Sequence, residues 1–333
     1  MTTKLRSQPT MRRMAMTAVV MMLLVAAACA SDSSEDALAR VGFVRPVAAG
    51  VGQPAFDAEL EASGFIAGDN LVYVQDDPDG EILLTPDDVR SAVEEWVAGG
   101  IDLIVAFSSS GATVAAETAP ETPVLFLVND PVAVGLVTNE ARPDRNLTGV
   151  TFRVPADRTL DLARQAIPDL DRIGILVPAT DPAGPPSRDS MLAAAATMQI
   201  ESAVEEFTDE SDIARAVTAL SAQSVDAIVV VNSPTSIRFF PVIEPAATAL
   251  GLPTIANTSI AVRALVALEP DVAALLKQLG RQAARLLSGV PPADIPVEDP
   301  TIFRVVLNAA MAAELGLPEF PADLVRQADH VTG

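Results

Sequence analysis

Two short polar runs in this chain have the residue types needed to hold a small charged molecule. Ser108-Ser109-Ser110-Gly111 directly precedes residues 112–117, a segment of helical composition. Hydroxyls and backbone N–H groups at a helix N-terminus, where the helix dipole is positive, suit a carboxylate or another anion. Plain capping is the other use of such a turn, and capping needs only one serine. The second run is Asn129-Asp130-Pro131. It can aim a carbonyl or carboxylate at an amine, or it can form an Asx-turn that merely shapes the next loop. Neither run brings catalytic machinery with it, so the chemistry on offer is binding.

Two apolar runs must position these turns, residues 101–107 and 123–128. Continuous apolar runs of this length, bounded by turn signals, fit strands buried on both faces of a parallel sheet. Both polar turns then lie at the carboxyl ends of neighbouring strands, where open α/β sheets hold their ligands. Upstream, residues 41–44 and 71–74 read as strands, and 55–63 and 86–98 as helices. Thr85 is placed as an N-cap, Asp87 and Asp88 fall in the first turn, and Gly64 and Gly99-Gly100 act as stops. Strands alternating with helices at this spacing call for βαβ units.

The second half repeats the first. Residues 172–176 correspond to 41–44, 225–231 to 101–106, and 252–256 to 122–126, in the same order and with helical segments between. Two tandem βα lobes account for this most simply, although buried parallel strands also resemble one another on composition alone. The second-lobe strand ends carry Thr180, Asn232, Ser233 and Thr258, each a candidate ligand contact or an ordinary cap. Glu269, before Pro270, is a further candidate near the mouth of the cleft, and Arg45 in the first-strand loop is either a partner for an acid or solvated surface. Residues 146–157 read as an extended linker strand, and 257–268 and 291–307 as further crossings, which together make a hinge. The expected lobes are 39–150 with about 264–290, and 151–263 with about 291–333.

Composition narrows the function classes. The 333 residues are 50% apolar and carry a formal charge of −22, which argues against a nucleic-acid partner because phosphate backbones need a basic face. No metal-ligand cluster or phosphate-loop motif appears, and the only histidine, His330, stands in the terminal segment far from the strand ends. No enzyme activity, cofactor or metal is expected, and the chain is expected to be monomeric. Trp and Tyr occur once each, as Trp96 and Tyr73, and neither falls in the candidate loops. On the sequence alone the ligand therefore leans toward a small polar or aliphatic, amino-acid-like zwitterion rather than an aromatic one.

The amino terminus reads as an export signal. Lys4, Arg6, Arg12 and Arg13 form a basic region, followed by the apolar residues 14–28 and then Cys29. Ala26-Ala27-Ala28-Cys29 resembles a bacterial lipobox, with Ala26 where Leu is commonest; an ordinary secretory signal with an incidental Cys29 is the alternative. Cleavage would remove residues 1–28 and leave a lipidated Cys29 at the head of a tether, residues 29–38. Cys29 is the only cysteine, so no internal disulfide forms and stability must come from packing.

With these features in place, the chain resembles the ABC-transporter substrate-binding family that includes tryptophan- and tyrosine-binding lipoproteins. The likeness is carried by DLIVA (102–106), PVLFLVNDPVAVGLV (123–137), NLTGV (146–150), IPDLDRIGIL (167–176), VDAIVVV (225–231), GLPTIA (251–256) and the segment 307–331. It implies a type I periplasmic-binding fold, two Rossmann-like lobes with parallel sheets joined by a three-stranded hinge. It also implies delivery of a small ligand to a membrane permease and its ATPase, with the lipid anchor as the attachment to the cell membrane; a ligand-sensing subunit for a membrane receptor would use the same fold. The departures fall in the loops. Arg45-Pro46 replaces a His-Pro-type turn, residues 178–182 replace an Asn-Pro-Ser-Glu-type turn, and Asn232-Ser233 replaces an Asp-Asn pair. These changes bear on which ligand is bound.

Overall fold

The computed structural model describes Met1 and residues 38–44, 53–74, 85–257 and 263–333. Cys29, Arg45 and Thr258, and with them the export signal and tether, lie outside the described residues. Residues 39–333 form one compact unit.

The first lobe is a five-stranded parallel sheet in the order β2-β1-β3-β4-β5. Its strands are β1 (Ala39–Val44), β2 (Leu71–Val74), β3 (Leu103–Ala106), β4 (Val124–Val128) and β5 (Leu147–Thr151). β3 and β4 are buried on both faces as their apolar runs require. On one face lie α1 (Gln53–Ala62) and, from far along the chain, α8 (Val272–Leu287). On the other lie α2 (Pro86–Ala98) and α3 (Ser109–Thr118). Thr85 caps α2 in a full capping box with Asp88. Gly280 lets α8 approach α1, because a Cβ there would stand 2.7 Å from the Phe56 carbonyl oxygen and 2.8 Å from Glu59 Cβ.

The second lobe is a seven-stranded sheet in the order β12-β11-β10-β9-β8-β6-β7, parallel except where β10 meets β11. Its strands are β6 (Arg172–Pro178), β7 (Glu201–Phe207), β8 (Ala227–Val230), β9 (Thr254–Ala256), β10 (Val266–Pro270), β11 (Phe303–Asn308) and β12 (His330–Thr332). One face packs under α4 (Ala156–Ala166), α5 (Gly184–Thr197), α9 (Ala309–Glu314) and α10 (Ala322–Gln327). The other packs under α6 (Glu210–Ala222) and α7 (Pro234–Thr248). Each lobe is thus a sheet between two helical layers, the α/β architecture expected of two Rossmann-like lobes.

Three segments join the lobes, at residues 152–155, 271 and 300–302, and their positions correct the expected boundaries. Residues 147–151, within the expected linker strand, are the edge strand of the first sheet, because β5 pairs with β4 along its whole length. The expected crossing at 257–268 is displaced, since Val266–Pro270 stays in the second sheet between β9 and β11, and the chain changes lobe only at Asp271, the N-cap of α8. Residues 291–299, expected in the second lobe, lie along β5 in the first. Thr148 Oγ1 donates to the Ile295 carbonyl at 2.6 Å, and Glu298 pairs with Val150. The physical reason is pairing: the β-branched and apolar residues at 266–268 fill the gap between β9 and the distant β11 of the second sheet. Among the described residues no helix is long and apolar enough to cross a membrane.

Candidate functional site

The two sheets present the carboxyl ends of their strands to one open cleft. The first lobe and the first crossing line it with Asn129, Asp130, Arg153 and Val154, and the second lobe with Pro186, Ser187, Ser190 and Asn257.

On the first lobe, β3 runs into α3 through Phe107 and Ser108. Ser108 is the N-cap, and its Oγ accepts the Gly111 amide at 3.1 Å. Gly111 is buried and must lack a side chain, because a Cβ would fall 2.8 Å from Val44 Cγ1 and 2.9 Å from Ser108 Oγ. These two predicted contacts therefore build the turn. Ser109 and Ser110 are different. Ser109 is half-buried and Ser110 exposed, and among the described residues neither hydroxyl has a hydrogen-bond partner. Asp130 forms the Asx-turn, Oδ1 accepting from the Ala133 amide at 2.9 Å, and Asn129 reaches across the cleft, Nδ2 donating to Ser187 Oγ at 2.5 Å.

On the second lobe the corresponding turns satisfy one another. Ser233 caps α7 with the same backbone as Ser108 (φ −158°, ψ 154° against φ −155°, ψ 154°), its Oγ accepting the Ser236 amide at 3.0 Å. Asp181 is buried and accepts the Ala183 amide through Oδ1 and the Thr235 amide through Oδ2, both at 3.0 Å, which ties the starts of α5 and α7 together. Asn232 is buried; its Nδ2 donates to the Phe152 carbonyl at 2.9 Å and its own carbonyl accepts from Ser187 Oγ at 2.9 Å. Thr180 is exposed at the end of β6.

Among the described residues, Asn257 Oδ1, just past β9, and Glu269 Oε2, in β10, are two of several buried oxygens without a hydrogen-bond partner. Burial is the main force that pushes the Glu269 carboxyl up to about 7; Asp271 and Asp329 add to it and Arg304, opposite in β11, works against it. Arg153 is bonded to Glu140 at 2.5 Å and to Asp299 at 2.9 Å. Burial works against its charge, but Glu140, Asp299 and Asp130 outweigh burial and raise its pKa.

Sequence reading missed Ser187, Ser190 and Arg153. The first two follow Pro185-Pro186, and prolines at the start of a helix mark its N-terminus. Two serines three apart beyond such a start share a helical face, which was the available signal. Arg153 carried none, because its role depends on Glu140 and Asp299 arriving from distant loops.

Solved structures share the two-lobed fold. A conserved domain protein from Vibrio cholerae superposes with a TM-score of 0.78 at 21% identity, covering 89% of this chain and 100% of that one. An ABC domain in complex with L-Trp from Streptococcus pneumonia superposes at 0.76 and 22% identity, covering 88% and 99%. A tyrosine-binding protein of Clostridioides difficile is 24% identical over 274 residues, 81% of this chain and 78% of that protein. Residues 60–332, nearly the whole of the two lobes, match the ABC transporter substrate binding protein family, and the chain belongs to that family.

Proposed function

We propose that this chain is an extracytoplasmic receptor, anchored through a lipid on Cys29, that captures a free amino acid between its lobes and presents it to the permease and ATPase of an ABC importer. The export signal and Ala26-Ala27-Ala28-Cys29 support the anchoring, and family membership supports the transport role.

One observation carries the ligand class. The start of α7 is already occupied by a carboxylate of the protein, since Pro234 has no N–H, the Thr235 amide goes to Asp181 and the Ser236 amide to Ser233. At the equivalent start of α3 the Ser109 and Ser110 amides and hydroxyls are uncommitted among the described residues. A ligand carboxylate at α3 would take the role that Asp181 plays at α7, where dipole and donors favour an anion. Asn257 Oδ1 and Glu269 Oε2 call for the opposite chemistry, a buried donor, and an α-ammonium supplies it. A zwitterion answers both needs.

The side chain of the ligand is better read from the structure than from the loops. Phe107, stacked on Phe43 at 6.1 Å between centroids, and Phe152, at the first crossing, are both half-buried at the cleft end of the first sheet. Both pack against the core of the first lobe, and their part-exposed faces are the aromatic surface available near the cleft. The relatives named for tyrosine and L-Trp point the same way, so we place aromatic amino acids first. The test is calorimetric titration and thermal shift of the purified chain with L-tyrosine, L-tryptophan, L-leucine and L-serine. A ligand at a hundredfold over its Kd adds about 2.7 kcal/mol, a rise of several degrees in Tm. No binding of any amino acid, or chemical conversion of a bound one, would end this reading.

A further inference from the structure

The bond between Asn129 and Ser187 joins the lobes across the cleft. Asn129 ends β4 in the first lobe and Ser187 stands in the first turn of α5 in the second, 58 residues apart in sequence, with Nδ2 to Oγ at 2.5 Å. Ser187 is 4% exposed, and its single hydroxyl proton is committed inside its own lobe, to the Ala183 carbonyl at 2.8 Å or the Asn232 carbonyl at 2.9 Å. Its oxygen is therefore presented as an acceptor. The geometry behind it is fixed, because Asp181 pins Ala183 at the start of α5 and Asn232 is itself held by Phe152 of the first crossing.

We infer that Asn129 and Ser187 form a clasp that favours the closed cleft whatever the cargo, setting how long the lobes stay together rather than which molecule they accept. The contact spans the two lobes, so it contributes to the closed state and is lost in the open one, and a differential contact of this kind shifts a two-state equilibrium. Asn129 is half-buried and returns to water when the lobes part, whereas Ser187 has no second donor from its own lobe. For one neutral hydrogen bond the expected shift is about three- to tenfold.

The consequence for residence time rests on the cleft being the binding site; the clasp itself belongs to the chain alone, so two measurements separate them. In the first, the Cys29→Ser chain carries dyes at Glu117→Cys on α3 and Thr197→Cys on α5, and single-molecule energy transfer is read without any amino acid. Ser187→Ala should lower the ratio of closed to open molecules three- to tenfold. Asn129→Ala, which leaves the internal bonds of Ser187 intact, should do the same, and the double variant should lose no more than either alone. In the second, dissociation of L-tyrosine and of L-leucine should speed up by one common factor with unchanged association. An unaltered closed fraction, additive losses in the double variant, or a factor that differs between the two amino acids would each overturn the clasp. If the unsubstituted chain binds no amino acid, the proposed function fails and energy transfer alone decides the clasp.

Discussion

The two strand-end edges are built from the same unit and have opposite hydrogen-bonding states. In both lobes a serine follows an apolar strand and caps the next helix with nearly identical backbone angles, Ser108 for α3 and Ser233 for α7. In the second lobe the turn is closed. Pro234 removes one donor, Asp181 takes another and Ser233 a third, and Asp181, Ser233 and Ser236 are buried. In the first lobe Ser109 and Ser110 keep their donors, and the turn faces solvent. The difference teaches that a repeated motif does not imply a repeated function. One copy is a finished structural joint and the other keeps donors to spare, which the proposed function reads as a socket; Pro234 and the Asp181 carboxylate make the difference.

The sharpest way to break this comparison is to empty the joint. Asp181→Ala removes a buried acceptor of two backbone amides at once and should destabilise the chain by about 2–3 kcal/mol in urea unfolding. If Asp181 fills an anion site, added formate or acetate should restore part of that loss by occupying the vacated turn. Asp130→Ala, at a strand-end turn of the first lobe, loses one half-exposed bond to the Ala133 amide and should cost only about 0.5–1 kcal/mol, with no response to formate. Equal costs for the two aspartates would mean that the edges do not differ as described.

A second pair of variants sharpens it from the side of the socket. Ser109→Ala with Ser110→Ala should weaken amino-acid binding about tenfold while changing stability by less than about 0.5 kcal/mol, since neither hydroxyl bonds within the described protein. Ser233→Ala should do the reverse, costing about 1 kcal/mol of stability through the lost cap. Titration calorimetry and denaturant midpoints on the same preparations separate the two outcomes. Unchanged affinity in the serine double variant would move the carboxylate contact away from α3.

Much of this arrangement was legible beforehand, and the boundary of legibility is physical. Apolar runs, Thr85 with Asp88, and the Gly99-Gly100 stop placed β3, β4 and α2 because those signals are local. Polar turns at strand ends were also readable as a class. Which of them are spent on the protein could not be read, because that depends on partners far away in sequence: Asp181 on Thr235, Asn232 on Phe152, Asn129 on Ser187. The misplaced crossing has the same origin. Residues 266–268 are apolar whether they pair with β9 or lead out of the lobe, and only the pairing with β11, about forty residues on, decides.

A last, pH-dependent effect tests the acceptor side of the cleft. Glu269 is held at about 7 in the folded chain against 4.5 for a free glutamate. The folded state therefore binds more protons than the unfolded state between those values, and stability falls as pH rises from about 4.5 to 7. A shift of this size is worth up to about 3 kcal/mol, of which about 1 kcal/mol is expected to register. Glu269→Gln removes the titrating proton with little change of shape. Its urea midpoint should match that of the unsubstituted chain at pH 4 and exceed it at pH 8 by about that 1 kcal/mol. The same variant should bind a zwitterion more weakly at pH 8, because it no longer offers a carboxylate to the ammonium. A variant that is more stable at pH 8 yet binds as before would keep the buried carboxyl as a feature of the second lobe and take the ammonium away from it, leaving Asn257 as the acceptor that the cargo must satisfy.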